Sequence, residues 1–253
     1  MTVSYKAPQG DERRLETVEQ VISVAEQDGL AGRVYVSAEV LAAATAVRDQ
    51  FAPKMNLVSE KLSTRMQRVA EKDESIAQLE RFSRDAWEGV KRRVVRQGLP
   101  RAILSYYGLS ESGEVPGALP QRNWLTKSKT IIEGDDEAFA AGFERLREPN
   151  QAEIQVAHNA ADAAFKAVPM ADREYDIAQE DVAALRGQVD EALAEVVRDI
   201  RYHAGRAKKD KESERRIMRS YGFTYITRNP TAEETVVETL DGAEDEPPAE
   251  ANA

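Results

Sequence analysis

Part of this chain repeats itself without gaps at a spacing of 114 residues, so that residues 38–109 align with residues 152–223. The copies share identical residues at chemically distinctive positions: Phe51 over Phe165, Arg84-Asp85 over Arg198-Asp199, and Tyr107-Gly108 over Tyr221-Gly222. An internal repeat constrains the architecture more than any isolated motif, because each copy is expected to fold as the same unit. The sequence therefore predicts two homologous units in tandem.

Within each copy the apolar residues recur at helical spacing. Val40, Ala43, Val47 and Phe51 form one stripe, and the second copy has apolar residues at the matching positions. Charged residues make up 32% of the chain and aromatic residues 6%, a balance that favours amphipathic helices over sheets. We expect an all-α fold, an elongated helical bundle of the coiled-coil type that is built from two tandem homologous helical units.

Each copy then continues into a longer helical stretch. We favour one long helix, and two consecutive helices are the alternative, because the polar run at 71–75 and Gly187 interrupt the apolar pattern. Pro53 and Pro169 follow the first apolar stripe in the two copies. Because proline removes a hydrogen-bond donor and clashes with the preceding turn, we predict a break or a sharp kink at both positions.

The end of each copy carries a helix stop signal. With Tyr107 as the C-cap, Gly108 occupies the position that favours a left-handed backbone, and the apolar residue after it folds back onto the last turn. Tyr221 and Gly222 repeat this arrangement in the second copy. We therefore assign both tyrosines a structural role rather than a catalytic one.

These signals divide the chain into four parts. Residues 1–109 form a first helical unit with an N-terminal helix, residues 110–123 form a linker that contains glycine and proline, and residues 124–230 form a second helical unit. Residues 231–253 contain eight acidic residues and no basic one, which predicts a disordered acidic tail. Residues 223–227 alternate in polarity and are rich in strand formers, so we expect a short strand there.

Few residues suit catalysis or metal binding. Cysteine is absent, and the two histidines, His158 and His203, stand at no metal-ligand or catalytic-triad spacing. Phosphate-binding loops, dinucleotide-binding motifs and nucleophile elbows are also missing from the sequence. We expect no enzyme activity, no cofactor, no metal and no small-molecule substrate. Asp85 and Asp199 are the carboxylates that an enzymatic alternative would use.

The Arg-Asp pairs are the charged residues that both copies keep at adjacent positions. Carboxylates placed symmetrically in a bundle can bridge a metal, but such sites also use Glu-x-x-His motifs, and this sequence has none. We therefore interpret Arg84-Asp85 and Arg198-Asp199 as cross-helix hydrogen-bonding residues between the repeats.

Two groups of surface candidates remain. Basic clusters lie near corresponding ends of the two long helical stretches, with Lys91, Arg92, Arg93 and Arg96 in one copy and Arg206, Lys208 and Lys209 in the other. These clusters are either phosphate-contacting patches or ordinary cations that complement a helix dipole. The aromatic candidates for a protein contact are Trp87, Tyr106 and Trp124, and the alternative for them is packing beneath the linker.

Two expectations concern location and function. The N-terminal residues carry no signal-peptide core, and no apolar run reaches the length of a membrane span, which predicts a cytoplasmic protein without membrane contact. The repeat and the charged helices favour a non-enzymatic structural or scaffolding role through helical protein–protein contacts, self-association included. Nucleic-acid binding through the paired basic helix ends is the alternative.

Overall fold

The computed structural model describes the backbone of residues 3–227 and the side chains of residues 6–225. Within residues 3–227 the elements are, in chain order, β1 (Val3–Lys6), α1 (Asp11–Leu30), α2 (Ala38–Gln97), α3 (Ile103–Tyr106), α4 (Gln121–Ala140), α5 (Gln151–Arg206), α6 (Lys211–Ser220) and β2 (Thr224–Thr227). The predicted all-α class is confirmed, and the predicted short strand is present as β2. The predicted acidic tail at 231–253 lies outside the described residues.

Helices α2 and α5 run without interruption through the two prolines. Helix α2 has 60 residues and contains Pro53, and helix α5 has 56 residues and contains Pro169, so the predicted break is wrong, and a kink at these positions stays a prediction. A proline inside a helix costs about 3 kcal/mol, because one hydrogen bond is lost and the ring crowds the preceding turn. Both prolines are exposed, so water can bond the freed carbonyl, while buried Phe51 and Ala171 anchor the helices nearby.

The chain forms two compact units. Unit 1 combines Met1–Met55 with Asp181–Ala253, and unit 2 is the continuous segment Asn56–Glu180. Both boundaries fall inside the long helices, so α2 and α5 each contribute one part to unit 1 and another to unit 2. The duplication of 1–109 in 124–230 stays a prediction about the sequence.

Unit 1 has a buried apolar core that includes Val21 and Val189, and ion pairs and a small sheet join its elements around that core. Asp11 and Arg14 of α1 pair with Arg186 and Asp190 of α5, at nitrogen–oxygen distances of 2.7 and 2.8 Å. Strands β1 and β2 pair in an antiparallel register that covers all four residues of each strand. The alternation of polarity in the sequence predicts β2, whereas its partner β1 is not predicted.

Unit 2 has an aromatic core. Trp87 and Trp124 are 0% and 1% exposed, their ring centroids lie 6.1 Å apart, and Trp87 Nε1 donates a hydrogen bond of 2.8 Å to the carbonyl of Tyr107. Tyr106 is half-buried beside Phe143. The expectation of an exposed contact patch at the two tryptophans is thereby corrected. Short helix α3 lies against α4, and burial of two indoles in this core is strongly favourable.

The parts of α2 and α5 that belong to unit 2 run antiparallel. Lys61 Nζ lies 2.8 Å from Glu174 Oε2, and Arg65 Nε lies 2.5 Å from Asp172 Oδ1. A residue later in α2 thus contacts a residue earlier in α5, as two antiparallel helices require. Between residues 56 and 75 of α2 no side chain is fully buried, so this part of α2 pairs with α5 on one face and is exposed on others; we call the paired parts of α2 and α5 here the two-helix layer.

The predicted helix stops are confirmed. Gly108 and Gly222 have φ values of 69° and 84°. The amide of Leu109 donates to the carbonyl of Leu104 at 3.1 Å, and the amide of Phe223 donates to the carbonyl of Met218 at the same distance. These bonds, with the glycine at C′, define a Schellman motif at the end of α3 and of α6.

Candidate anion-binding cleft

Unit 2 contains a cleft of about 480 Å³ between the last turns of α2 and the segment 144–148 that precedes α5. Five of its lining residues are arginines: Arg92, Arg93 and Arg96 from α2, and Arg145 and Arg147 from the segment. Two lining residues, Glu144 and Glu148, are acidic. We call this region the arginine cleft. Three of its arginines belong to the basic cluster that the sequence singles out, whereas Arg145 and Arg147 have no sequence signal.

Helical spacing brings the three α2 arginines to the cleft. Positions 89, 92, 93 and 96 differ by three, four and seven residues, so they share one face of a helix. Within the described side chains, none of Arg92, Arg93 and Arg96 forms an ion pair with a carboxylate. Their positive charge is therefore not neutralised by a direct ion pair in this part of the chain.

Arg93 is held in place by neutral oxygen atoms. Its Nη1 donates hydrogen bonds to the carbonyls of Glu144 and Arg145, the latter at 3.2 Å, and its Nη2 lies 3.4 Å from the hydroxyl of Tyr107. Its buried Nε has no acceptor among the described residues. Carbonyl and hydroxyl oxygens fix the orientation of the guanidinium without cancelling its charge.

A buried carboxylate anchors the opposite wall of the cleft. The side chain of Asp135 on α4 is 0% exposed and accepts hydrogen bonds from the Tyr107 hydroxyl at 3.1 Å and from the amide of Leu146 at 2.8 Å. Arg145 Nη1 lies 3.2 Å from the other carboxylate oxygen. A buried carboxylate needs such donors to offset its lost hydration. Asp135 thus joins Tyr107 to the segment that carries Arg145 and Arg147.

The pKa shifts in the cleft keep its donors protonated and its ion pair charged. Burial, followed by the charge of Asp135, raises the pKa of Tyr107 to about 12, so the hydroxyl remains a donor at neutral pH. The hydrogen bond from Arg145 lowers the pKa of Asp136, and the same bond raises the pKa of the Arg145 guanidinium. Arg145 and Asp136 therefore both stay charged.

The remaining cations of the basic clusters lie elsewhere. Lys91 pairs with Glu88 at 2.9 Å and does not line the cleft. Arg206, Lys208 and Lys209 are exposed in unit 1, at the end of α5 and in the turn before α6. The cleft thus combines part of one predicted cluster with two unpredicted arginines.

The two Arg-Asp pairs make different contacts, and no shared cross-helix hydrogen bond is found among the described residues. Arg84 donates to the carbonyls of Pro116 and Gly117 at 3.1 and 2.9 Å, which ties α2 to the following loop. Asp199 instead accepts a hydrogen bond of 2.6 Å from the amide of Ser37, just before α2 begins. Asp85 is exposed, and Arg198 pairs with Glu195 on its own helix.

A tyrosine–aspartate–arginine arrangement also occurs in unit 1. The hydroxyl of Tyr221 donates a hydrogen bond of 2.9 Å to buried Asp28, which also pairs with Arg33 at 3.0 Å. These contacts match those of Tyr107, Asp135 and Arg145 in kind. Neither aspartate is predicted from the sequence, although each stands at the helical spacing of buried apolar residues on its helix.

Each histidine has one polar side-chain partner among the described residues. His158 Nδ1 lies 2.9 Å from Ser128 Oγ, and His203 Nε2 lies 3.5 Å from Asp199 Oδ1. Among the described side chains, no group of three or more histidine, aspartate or glutamate residues is placed to hold a metal ion. The strongest chemical feature of the described residues is therefore the arginine cleft, which suits anions.

Comparison with known proteins identifies no relative: no protein-family model, no curated protein and no solved structure matches this chain. Among the helices within residues 3–227, none combines the length and the apolar character that crossing a membrane requires.

Proposed function

We propose that this protein is a non-enzymatic structural or scaffolding protein that acts through contacts between helices, and that self-association is its first mode of contact. The observation that carries this proposal is the exposed two-helix layer of unit 2, in which residues 56–75 of α2 contain no fully buried side chain. Two paired helices cover only one face of each other, so their open faces can pack against further helices.

A groove on this layer is suited to a helix. It has a volume of about 660 Å³, and we call it the alanine groove because α5 lines it with Ala160, Ala163, Ala164, Ala167 and Ala171. Met170 of the same groove is 66% exposed. Small side chains let another helix approach closely, and an exposed methionine can adapt to the partner surface.

The charges around the alanine groove favour a second copy of this chain as the occupant. Arg68 lies 2.6 Å from Glu71, and both residues line the groove together with Glu174. A two-fold symmetric contact brings the same patch of both copies together, so a charged patch must carry both signs to complement itself. A surface with one sign only would repel itself.

Sedimentation equilibrium of the full chain, together with two arginine variants, tests this proposal. We expect a concentration-dependent dimer that Ala167→Arg weakens by about tenfold or more, because the new side chain fills the groove. Ala70→Arg is the matched control, since Ala70 is exposed on α2 and does not line the groove. A chain that stays monomeric throughout, or equal weakening by both variants, would contradict the proposal.

Nucleic-acid binding is the second candidate function, and the observation that favours it is that the α2 arginines of the cleft have no carboxylate partner among the described residues. Phosphate contacts by such residues give an affinity that falls steeply with salt. A labelled DNA duplex should bind the full chain at low salt, and Arg96→Glu should weaken binding more than Arg173→Glu, which alters an exposed arginine outside the cleft. Absence of binding at low salt would remove this candidate.

We infer a cytoplasmic location from the same features of the sequence that predict it above. The lack of cysteine is compatible with a reducing compartment. Cell fractionation with an antibody against the full chain is the direct measurement, and enrichment in a membrane or extracellular fraction would overturn this inference.

A further inference from the structure

We propose that the arginine cleft of unit 2 is a binding site for a compact ligand that carries two adjacent phosphate groups. This inference does not rest on the scaffolding function, because the arginine cleft and the alanine groove have no lining residue in common.

The guanidinium groups of the cleft point to an anion with several oxygen atoms. Glu144 is paired with Arg147 at 3.1 Å, and Arg145 is paired with Asp135 and Asp136. The other three lining arginines, Arg92, Arg93 and Arg96, lack a carboxylate partner among the described residues, so their guanidinium groups are left for a ligand. Two linked phosphates offer more oxygen atoms to these three groups than a single phosphate does.

The cleft is organised before any ligand binds. Carbonyl oxygens and the Tyr107 hydroxyl orient Arg93, and Asp135 holds the segment that carries Arg145 and Arg147. A guanidinium whose orientation is already fixed loses less entropy when it binds an oxyanion. Arg92 and Arg96 are exposed and can close on the ligand from the helix side.

The dimensions and the lining select a compact ligand over a nucleic-acid strand. A volume of about 480 Å³ falls within the range of small-molecule sites, which is about 300–1,000 Å³. No aromatic side chain lines the cleft, so a base would find no ring to stack on. Arginine forks match the paired oxygens of phosphate, so the phosphates are the part of the ligand that is recognised.

Isothermal titration of the full chain with sodium pyrophosphate at low ionic strength tests the assignment. We expect pyrophosphate to bind at least about tenfold more tightly than inorganic phosphate, because it engages more guanidinium groups. Arg96→Gln should weaken pyrophosphate binding by about tenfold or more. Arg173→Gln is the matched control, because Arg173 is exposed in unit 2 but lies outside the cleft.

Several outcomes would overturn the proposal. They are no binding of pyrophosphate at low salt, equal affinities for pyrophosphate and phosphate, and equal effects of the two variants. Arg92→Gln provides a second cleft variant if Arg96→Gln does not fold, as judged by circular dichroism. If an oligonucleotide displaces pyrophosphate and binds the cleft more tightly than pyrophosphate does, the cleft is a nucleic-acid site instead. A monomeric chain that binds pyrophosphate would refute the self-association proposal while supporting this one.

Discussion

Two tyrosine hydroxyls each donate a hydrogen bond to a buried aspartate, Tyr107 to Asp135 and Tyr221 to Asp28. Removal of a buried carboxylate from water is costly, so each donor it keeps contributes to stability. Because each tyrosine also caps a short helix, it joins the end of that helix to a neighbouring helix. At the scale of single residues, each unit therefore contains one buried hydrogen bond between a tyrosine and an aspartate.

Replacement of either tyrosine by phenylalanine is expected to destabilise the protein. Tyr107→Phe and Tyr221→Phe each keep the ring but leave the aspartate one donor short, which should cost about 1–3 kcal/mol. Urea unfolding followed by circular dichroism measures this cost. Tyr202→Phe is the control, because Tyr202 is exposed and forms no hydrogen bond with the described residues. An unchanged free energy of unfolding in both buried variants would contradict the assigned role.

The raised pKa of Tyr107 predicts a loss of stability at high pH. The folded state holds this proton more tightly than the unfolded state, so the stabilisation is complete below about pH 10 and is lost as pH rises to about 12. Urea titrations below, within and above this window measure the decline. Burial also raises the pKa of Tyr221, so the comparison is with Tyr107→Phe, which should decline less steeply. If the free energy of unfolding fell with pH at the same rate in the unmodified protein and in Tyr107→Phe, Tyr107 would not contribute to the pH dependence of stability.

At the scale of elements, replacement of a glycine by alanine stabilises or destabilises the protein according to the backbone conformation at that position. Gly187 lies inside α5 at an exposed position where an added Cβ would meet no atom within 4 Å, so alanine there should stabilise the helix by about 1 kcal/mol. Gly108 has a φ of 69°, and an added Cβ would lie 3.0 Å from Thr130 Cγ2, so Gly108→Ala should destabilise by about 1–2 kcal/mol. Thermal unfolding of both variants measures the two signs. A change of melting temperature in the same direction for both variants would contradict the backbone conformation described at one of the two glycines.

Local signals in the sequence predict elements well. The glycine after Tyr107 predicts where α3 ends, and the alternating residues at 223–227 predict β2, because each depends on neighbours along the chain. The prolines mislead, since whether a helix tolerates them depends on exposure of the ring side to water, which no local spacing reveals. The burial of Trp87 and Trp124 likewise depends on the packing of α3 against α4.

The arginine cleft is only half predictable for the same reason. Helical spacing groups Arg92, Arg93 and Arg96 on one face of α2. The segment with Arg145 reaches that face through a hydrogen bond between residues 52 positions apart in sequence, and through buried Asp135. An aspartate among apolar residues at helical spacing is the one signal that indicates such an anchor from sequence.

At the scale of the whole molecule, the compact units do not follow the order of the sequence. Unit 1 combines Met1–Met55 with Asp181–Ala253, and the continuous segment between them forms unit 2. Unit 2 contains the antiparallel pairing of α2 with α5, which builds the alanine groove. The scaffolding proposal therefore depends on this pairing.

The most direct measurement of that pairing is a pair of spin-label distances in unit 2, where the lack of native cysteine allows each label to be placed uniquely. Labels at Arg65→Cys and Asp172→Cys replace a contact of 2.5 Å, and loss of this exposed ion pair costs at most about 1 kcal/mol. Labels at Asp73→Cys and Glu180→Cys are the comparison, because a shift of eight residues in the same direction along both helices adds an axial separation of about 24 Å when the helices are antiparallel and none when they are parallel. We predict a clearly shorter distance for the first pair. Equal distances, or a shorter distance for the second pair, would contradict the antiparallel register.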